Sequence, residues 1–209
     1  MEINELKETI AGGRLEDSVA IVKEALSNGV APEDIINQYL VKGMEEVGRR
    51  YEEGRAFVPN LLLAGRAMKG CLEILSPLLQ DESATTLGTV VIGTVQGDLH
   101  DIGKNLVASM LEGCGFKVIN LGVDVSADKF VAAAQENHAQ IVCLSALLTT
   151  TMNYMKTVIE AFEAAGIRNQ VKIMVGGAPV SQEFADRIGA DGFSINANGA
   201  VLTAKALLS

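Results

Sequence analysis

Asp98 and His100 stand two positions apart in the stretch TVQGDLHDIGKN, residues 94 to 105, and His100 is one of only two histidines in the chain. A carboxylate hydrogen-bonded to one ring nitrogen fixes the tautomer and strengthens the other nitrogen as a metal ligand. One histidine cannot hold a free ion, and no cysteine, second histidine or carboxylate cluster stands nearby to complete a ligand set. A metal bound here must bring its other ligands with it, in a macrocycle.

Phosphate chemistry does not fit the same loop. GDLHDIG, Gly97 to Gly103, lacks the G-x-G-x-x-G of a dinucleotide turn. It also misses the Walker spacing, because five residues separate its glycines and Asn105 follows Lys104 where Ser or Thr is required. An aspartyl-phosphate receiver needs an aspartate at the end of its third strand, where this chain has Ser145 and Ala146. Two further stretches carry unusual sequence. LSALLTTTM places Ser145, Leu147, Thr149 and Thr151 after one strand, and Gly176-Gly177 followed by Ala178-Pro179 comes after the next. Bare glycines beside a hydroxyl-bearing strand end leave a slot for a long polar appendage of a ligand. A valine at Gly177 is expected to fill that slot with the sheet intact.

These residues need a scaffold, and the periodicity supplies it. To about residue 80 the pattern is helical, with apolar faces through Ile3, Leu6 and Ile10, through Leu15, Val19, Val22 and Leu26, through Ile36, Leu40, Met44, Val47 and Tyr51, and through Leu61, Ala64, Met68, Cys71 and Leu75. Pro32 marks a helix start, and Gly12-Gly13, Gly29 and Gly54 punctuate the segments, which predicts a four-helix bundle. QDESATT, residues 80 to 86, reads as a linker, with domains at 1–83 and 84–209. Beyond it, short β-rich runs at 89–95, 117–123, 140–146, 172–177 and 192–196 alternate with helical patterns. That alternation predicts an α/β, Rossmann-like and flavodoxin-like parallel sheet of five strands, doubly wound, with its ligand beyond the carboxyl ends of the strands.

Composition narrows the partners. The net charge of -9 and the lack of any Lys/Arg cluster argue against nucleic acid. No run approaches the length of a membrane span, and the N-terminal MEINELKETI lacks the form of a leader, so a cytoplasmic protein is expected. Cys71, Cys114 and Cys143 are scattered through apolar contexts and read as small core residues.

The order Asp98-x-His100-x-x-Gly103, 41 residues, Ser145-x-Leu147, 28 residues, Gly176-Gly177 resembles the signature of cobalamin-binding domains. VQGDLHDIGKNLV and VGGAPVS are similar to segments of cobalamin-dependent methionine synthase, and YEEGRAFVPNLLLAGRAMKGCLEIL, residues 51 to 75, is similar to its cap domain. With nothing but these two parts, the chain most resembles the stand-alone corrinoid proteins of methanol, methylamine and aromatic O-demethylation methyltransferase systems.

That resemblance implies a cobalamin or related corrinoid bound base-off, with His100 on cobalt. The loop from Gly97 through Leu99, Asp101 and Ile102 to Gly103 would lie under the macrocycle. The displaced nucleotide tail would enter the slot of Ser145, Leu147, Thr149, Gly176 and Gly177. Asp98 and Thr151 would complete a hydrogen-bonded relay behind His100, Thr151 standing six positions after the motif serine. Tyr51, Val58 and Leu61 would cover the upper face of the cofactor. Relatives often have a tyrosine and an aspartate near GFSINAN, where this chain has Phe193 and Asn196.

The implied function is to carry a methyl group on cobalt, cycling between Co(I) and methyl-Co(III). A substrate-specific methyltransferase would load it, a tetrahydrofolate- or thiol-dependent methyltransferase would unload it, and a reductive activase would restore it. A cobalamin subunit of a radical mutase and a cobalamin sensor or storage protein are the alternatives. The chain has no room for the mutase barrel, and it lacks a basic recognition helix for a DNA-bound regulator. His138, ahead of the third strand, is expected at the surface, away from the motif loops.

Overall fold

Helices that bury one stripe each must pack those stripes together. In the computed structural model, which describes residues 2–78 and 86–208, contacts group the chain into two units. One is Met1–Leu87 with Ser109–Gly115, the other Gly88–Ala108 with Phe116–Ser209. The first unit holds α1 (Leu6–Ala11), α2 (Leu15–Ser27), α3 (Pro32–Ile35), α4 (Val41–Glu52) and α5 (Val58–Leu75). A π-helical turn, Ile36–Leu40, joins α3 to α4, so the two run as one segment and the unit has the four expected helical segments. Pro32 opens α3 in the first turn, where its missing N–H costs nothing.

The stripes meet as their spacing requires. Leu6, Ile10, Ile21, Val22, Leu40, Met44, Val47, Leu61, Met68, Cys71 and Leu75 are all buried. Gly43 brings α4 close to α1, since a Cβ there would stand 2.6 Å from Ile10 Cβ. Arg50 then bridges Glu8 on α1 at 2.7 Å and Glu46 on α4 at 2.8 Å. Hydrogen bonds from Arg49 and Arg50 hold the Glu46 carboxyl down at about 2. The proposed linker at 80–86 lies, apart from Thr86, outside the described residues.

The second unit alternates strand and helix: β1 (Thr89–Thr94), α6 (Ile102–Gly113), β2 (Lys117–Asn120), α7 (Ala127–Glu136), β3 (Ile141–Ser145), α8 (Tyr154–Ala164), β4 (Lys172–Gly176), α9 (Gln182–Ile188), β5 (Gly192–Ser194) and α10 (Ala197–Leu207). All strand pairs are parallel and the order is β2-β1-β3-β4-β5. Val91, Val142, Leu144, Ile173 and Val175 pack on one face against Phe130, Val158, Phe162 and Phe184 from α7, α8 and α9. Alternation sends Val90, Ile92, Cys143 and Met174 to the other face, and these too are buried. Burial pushes the Cys71 and Cys143 thiols up to about 12, in keeping with inert core cysteines. α8 begins only at Tyr154, because 149–153 is a turn whose Thr151 hydroxyl is engaged elsewhere.

Phe130 is fully buried beneath β1, where a Cβ on Gly93 would stand 2.8 Å from its ring. Phe130→Ala should lower stability by about 3–5 kcal/mol in urea unfolding. Gly93→Ala, damaging alone, should cost clearly less in the Phe130→Ala background, because the two side chains compete for one volume.

Candidate functional site

The strand order reverses between β1 and β3: the chain leaves β1 for β2 on one side and returns to β3 on the other. Loops leaving adjacent strands toward opposite faces open a crevice at their carboxyl ends, the usual place for a ligand in such sheets. The two loops that flank it are those carrying Asp98-His100 and Ser145-Thr151.

Asp98 joins them. Its side chain is fully buried and both oxygens are saturated. Oδ1 accepts from the His100 backbone N–H at 3.1 Å and lies 2.8 Å from His100 Nδ1. Oδ2 accepts from the N–H groups of Leu147 at 2.8 Å and Leu148 at 3.3 Å, and from the Thr151 hydroxyl at 2.6 Å. Burial alone would raise its pKa. The hydrogen bonds from Thr151, His100 and the Leu147 backbone outweigh that, and the carboxyl sits well below the usual carboxylate range.

An ionised Asp98 accepts only, so Nδ1 of His100 is the donor and carries the ring proton. That leaves the lone pair on Nε2, which makes no hydrogen bond among the described residues, on a side chain half open to solvent. The loop carrying it is pinned from below, since the buried Thr94 hydroxyl donates to the His100 carbonyl at 2.9 Å. The same two loops and the start of α6 expose apolar side chains: Leu99 at 71%, Ile102 at 88%, Leu147 at 45% and Leu148 at 42%. Gly103 lies among them with open space where a side chain would be.

Ser145 pairs in register with Gly176 and with Thr94, so the serine, the glycine pair and the histidine loop share one sheet edge. Gly177 has φ 130°, and a Cβ there would run into the Ala146 carbonyl oxygen. The sequence expectation that valine at 177 leaves the sheet undisturbed therefore fails: glycine is required there by the backbone as well as by any slot. Gly176 is less constrained, with 3.3 Å from its Cβ position to the Ser194 carbonyl. Thr149 is exposed, while Asp101, just ahead of α6, accepts from Asn105 Nδ2 at 2.8 Å. Asn196 accepts from Gly199 N–H at 2.8 Å and caps α10. In the helical unit Leu61 is buried, and Tyr51 and Val58 are half-buried. His138 is exposed ahead of β3, at the amino end of the sheet, as expected.

Sequence reasoning missed three contributors. Thr94 reads as one more β-branched strand residue, and only its burial beside the His100 carbonyl shows its part. Lys104 reads as a solvated helix residue, yet it is buried, and its Nζ donates to Asn120 Oδ1 at 2.8 Å and to the Gly122 carbonyl at 3.3 Å. Burial lowers its pKa and nearby Asp101 opposes that. Asp124 accepts from Gly97 N–H at 2.7 Å.

Residues 88–202 match the family described as B12 binding domain, and residues 2–76 match a second family of the same description. The chain belongs to the B12-binding family. Trimethylamine corrinoid protein 2 of Methanosarcina mazei is 47% identical, over 92% of this chain and 89% of its own. Among solved structures, the methanol:cobalamin methyltransferase complex of Methanosarcina barkeri aligns with TM-score 0.84 at 33% identity, covering 99% of this chain and 79% of that one. A cobalamin-binding protein of Desulfitobacterium hafniense aligns with TM-score 0.82 at 32% identity, covering 99% and 98%.

The residues present fit a corrinoid. One oriented imidazole offers a single metal ligand, and no group of three or more His, Cys, Asp or Glu among the described residues could hold an ion without added ligands. The apolar rim of Leu99, Ile102, Leu147 and Leu148, with bare Gly103 beside it, suits the face of a flat macrocycle that desolvates both surfaces.

Asp98→Asn should separate charge from shape. Its amide group must turn a donor toward either His100 or the Leu147 and Leu148 N–H pair, which should cost about 1–3 kcal/mol at neutral pH. The wild-type pKa is depressed on folding, so its stabilisation is fully present above the unfolded value of about 4 and is lost as pH falls through the lower folded value. Urea unfolding of both proteins should show a constant gap at neutral pH that narrows below about pH 4.

Proposed function

We propose that this B12-binding protein carries a methyl group on the cobalt of a bound corrinoid, held base-off with Nε2 of His100 as the axial ligand. The observation that carries the reading is the orientation of His100: a saturated, buried carboxylate holds Nδ1, which leaves the Nε2 lone pair unused on a half-exposed side chain at the switch point. When bound, the corrinoid supplies a cobalt nucleophile able to accept a methyl group from an activated donor and release it to an acceptor.

The chain's own residues supply control. Asp98 stays ionised and keeps the Nδ1 proton in place, so the unprotonated Nε2 is the atom that would hold the metal. Thr151 and the Leu147 N–H hold Asp98 in that role whichever partner Nε2 has. Leu99, Ile102 and Leu147 would exclude water from the face of the ring. Ser145, Gly176 and Gly177 leave the edge between β3 and β4 for the nucleotide tail.

The reading assigns activation of the methyl donor to a substrate-specific methyltransferase, in line with the similar methanol:cobalamin methyltransferase complex. Unloading falls to a tetrahydrofolate- or thiol-dependent methyltransferase and rescue of oxidised cobalt to a reductive activase. Relatives named for trimethylamine and for methanol make small methylated amines and alcohols the first donors to assay. No helix among the described residues is long and apolar enough to cross a membrane, and we place the protein in the cytoplasm. The same reading gives Tyr51, Val58 and Leu61 to the cofactor's other face.

Electron paramagnetic resonance of the Co(II) holoprotein should show splitting from one axial nitrogen. His100→Ala should abolish it with corrinoid still bound, and His138→Ala should leave it unchanged; splitting that survives His100→Ala refutes the assignment. For the helical unit, Tyr51→Ala and Val58→Ala, compared at matched folded fraction, should speed photolysis of the methylated holoprotein. Rates equal to wild type would remove both residues from the site.

A further inference from the structure

Asp124 is a non-glycine residue in the left-handed region, with φ 53°, a conformation that costs most side chains and that aspartate and asparagine tolerate best. It is exposed, so packing does not explain its presence. Both of its polar groups turn on one short piece of backbone. Gly97 N–H donates to Asp124 Oδ1 at 2.7 Å, and Asp124 N–H donates to the Asp98 carbonyl at 3.1 Å.

The segment that carries Asp124 is itself braced. Thr94 N–H donates to the Gly122 carbonyl and Val125 N–H to the Thr94 carbonyl, both at 3.0 Å, and Val95 pairs with Val125 in parallel. Lys104 holds Asn120 and Gly122 from α6. The chain after β2 thus continues alongside the end of β1, and Asp124 is where it takes hold of the Gly97-Asp98 backbone.

We propose that Asp124 is a positioning residue for the axial histidine. By gripping Gly97 N–H and the Asp98 carbonyl, it fixes the direction in which the Asp98 side chain leaves the loop. That direction decides whether Oδ1 meets His100 Nδ1 while Oδ2 meets the Leu147 and Leu148 N–H groups and Thr151. Without the grip, the Asp98 carboxylate keeps its partners only part of the time, and His100 loses its single tautomer. The purpose of the grip rests on His100 being the cobalt ligand. The grip itself is testable without corrinoid.

The simpler alternative is that Asp124 merely tolerates a left-handed turn, in which case glycine would serve as well. The test uses apo-protein labelled with nitrogen-15 at histidine, where His100 and His138 give the only ring signals and exposed His138 is the internal reference. In wild type and Asp124→Asn, which keeps both the oxygen acceptor and the turn preference, His100 should show the tautomer protonated at Nδ1. In Asp124→Gly and Asp124→Ala the His100 signals should move toward the tautomer mixture of free imidazole, with His138 unmoved. Corrinoid affinity, measured by titration, should fall about tenfold in the same two variants. Wild-type His100 signals in Asp124→Gly would overturn the proposal, and so would the alanine pattern in Asp124→Asn. Should Asp124→Ala fail to fold, the glycine and asparagine variants decide the matter alone. If the tautomers follow the expectation but the wild-type Co(II) holoprotein shows no axial nitrogen, the assignment of His100 to cobalt fails and the grip on Asp98 stands.

Discussion

A carboxylate with no exposed surface must have its hydrogen bonds made by the protein, and Asp98 has five donors within reach. Two come from its own loop after β1 and three from the loop after β3. The charge therefore ties together the two sides of the switch point, and neither loop can move far without stranding buried donors or a buried charge. The histidine orientation and the free Nε2 lone pair follow from that junction.

The fold is suited to this because a doubly wound parallel sheet is rigid where its strands end and permissive just beyond. β1 and β3 are fixed by register and covered on both faces, so Thr94 and Ser145 face each other across the ladder at the sheet edge. The loops that leave them need no packing of their own and can spend backbone N–H groups on a carboxylate. Apolar side chains left in the open are ordinarily a liability. Here Leu99, Ile102, Leu147 and Leu148 are exposed on and beside the two loops that hold His100 and its carboxylate, which makes sense for a surface meant to be covered by a large flat ligand.

Two charged side chains show how local context overrides residue type. Lys104 follows the motif glycine and would be solvated on an ordinary helix, yet it is buried with its ammonium on Asn120 and the Gly122 carbonyl, holding the segment that reaches Asp124. Arg50, by contrast, sits between Glu8 and Glu46 on the helical unit and joins two helices through partly exposed charge. Pairs of that kind contribute little each, and the bundle rests mainly on its buried stripes.

Sequence by itself determined the class of each unit, because periodicity is a local property: steps of three and four in the first part, short β-rich runs in the second. It also singled out His100 as the candidate metal ligand. With two histidines in the chain, one beside a carboxylate in a glycine-bounded turn and one ahead of a strand, the types and spacing left little choice. What only the tertiary structure decided is how His100 is held. Leu147 and Leu148 act through backbone N–H groups 49 and 50 residues from Asp98, and a backbone donor leaves no mark in the identity of its residue. Thr94, Lys104 and Asp124 have types that fit many settings, and their roles arise from where parallel strands in the order β2-β1-β3 set them down. Gly177 shows the same division. Its type signalled a bare strand end, but only the approach of the Ala146 carbonyl shows that the backbone itself excludes a side chain there.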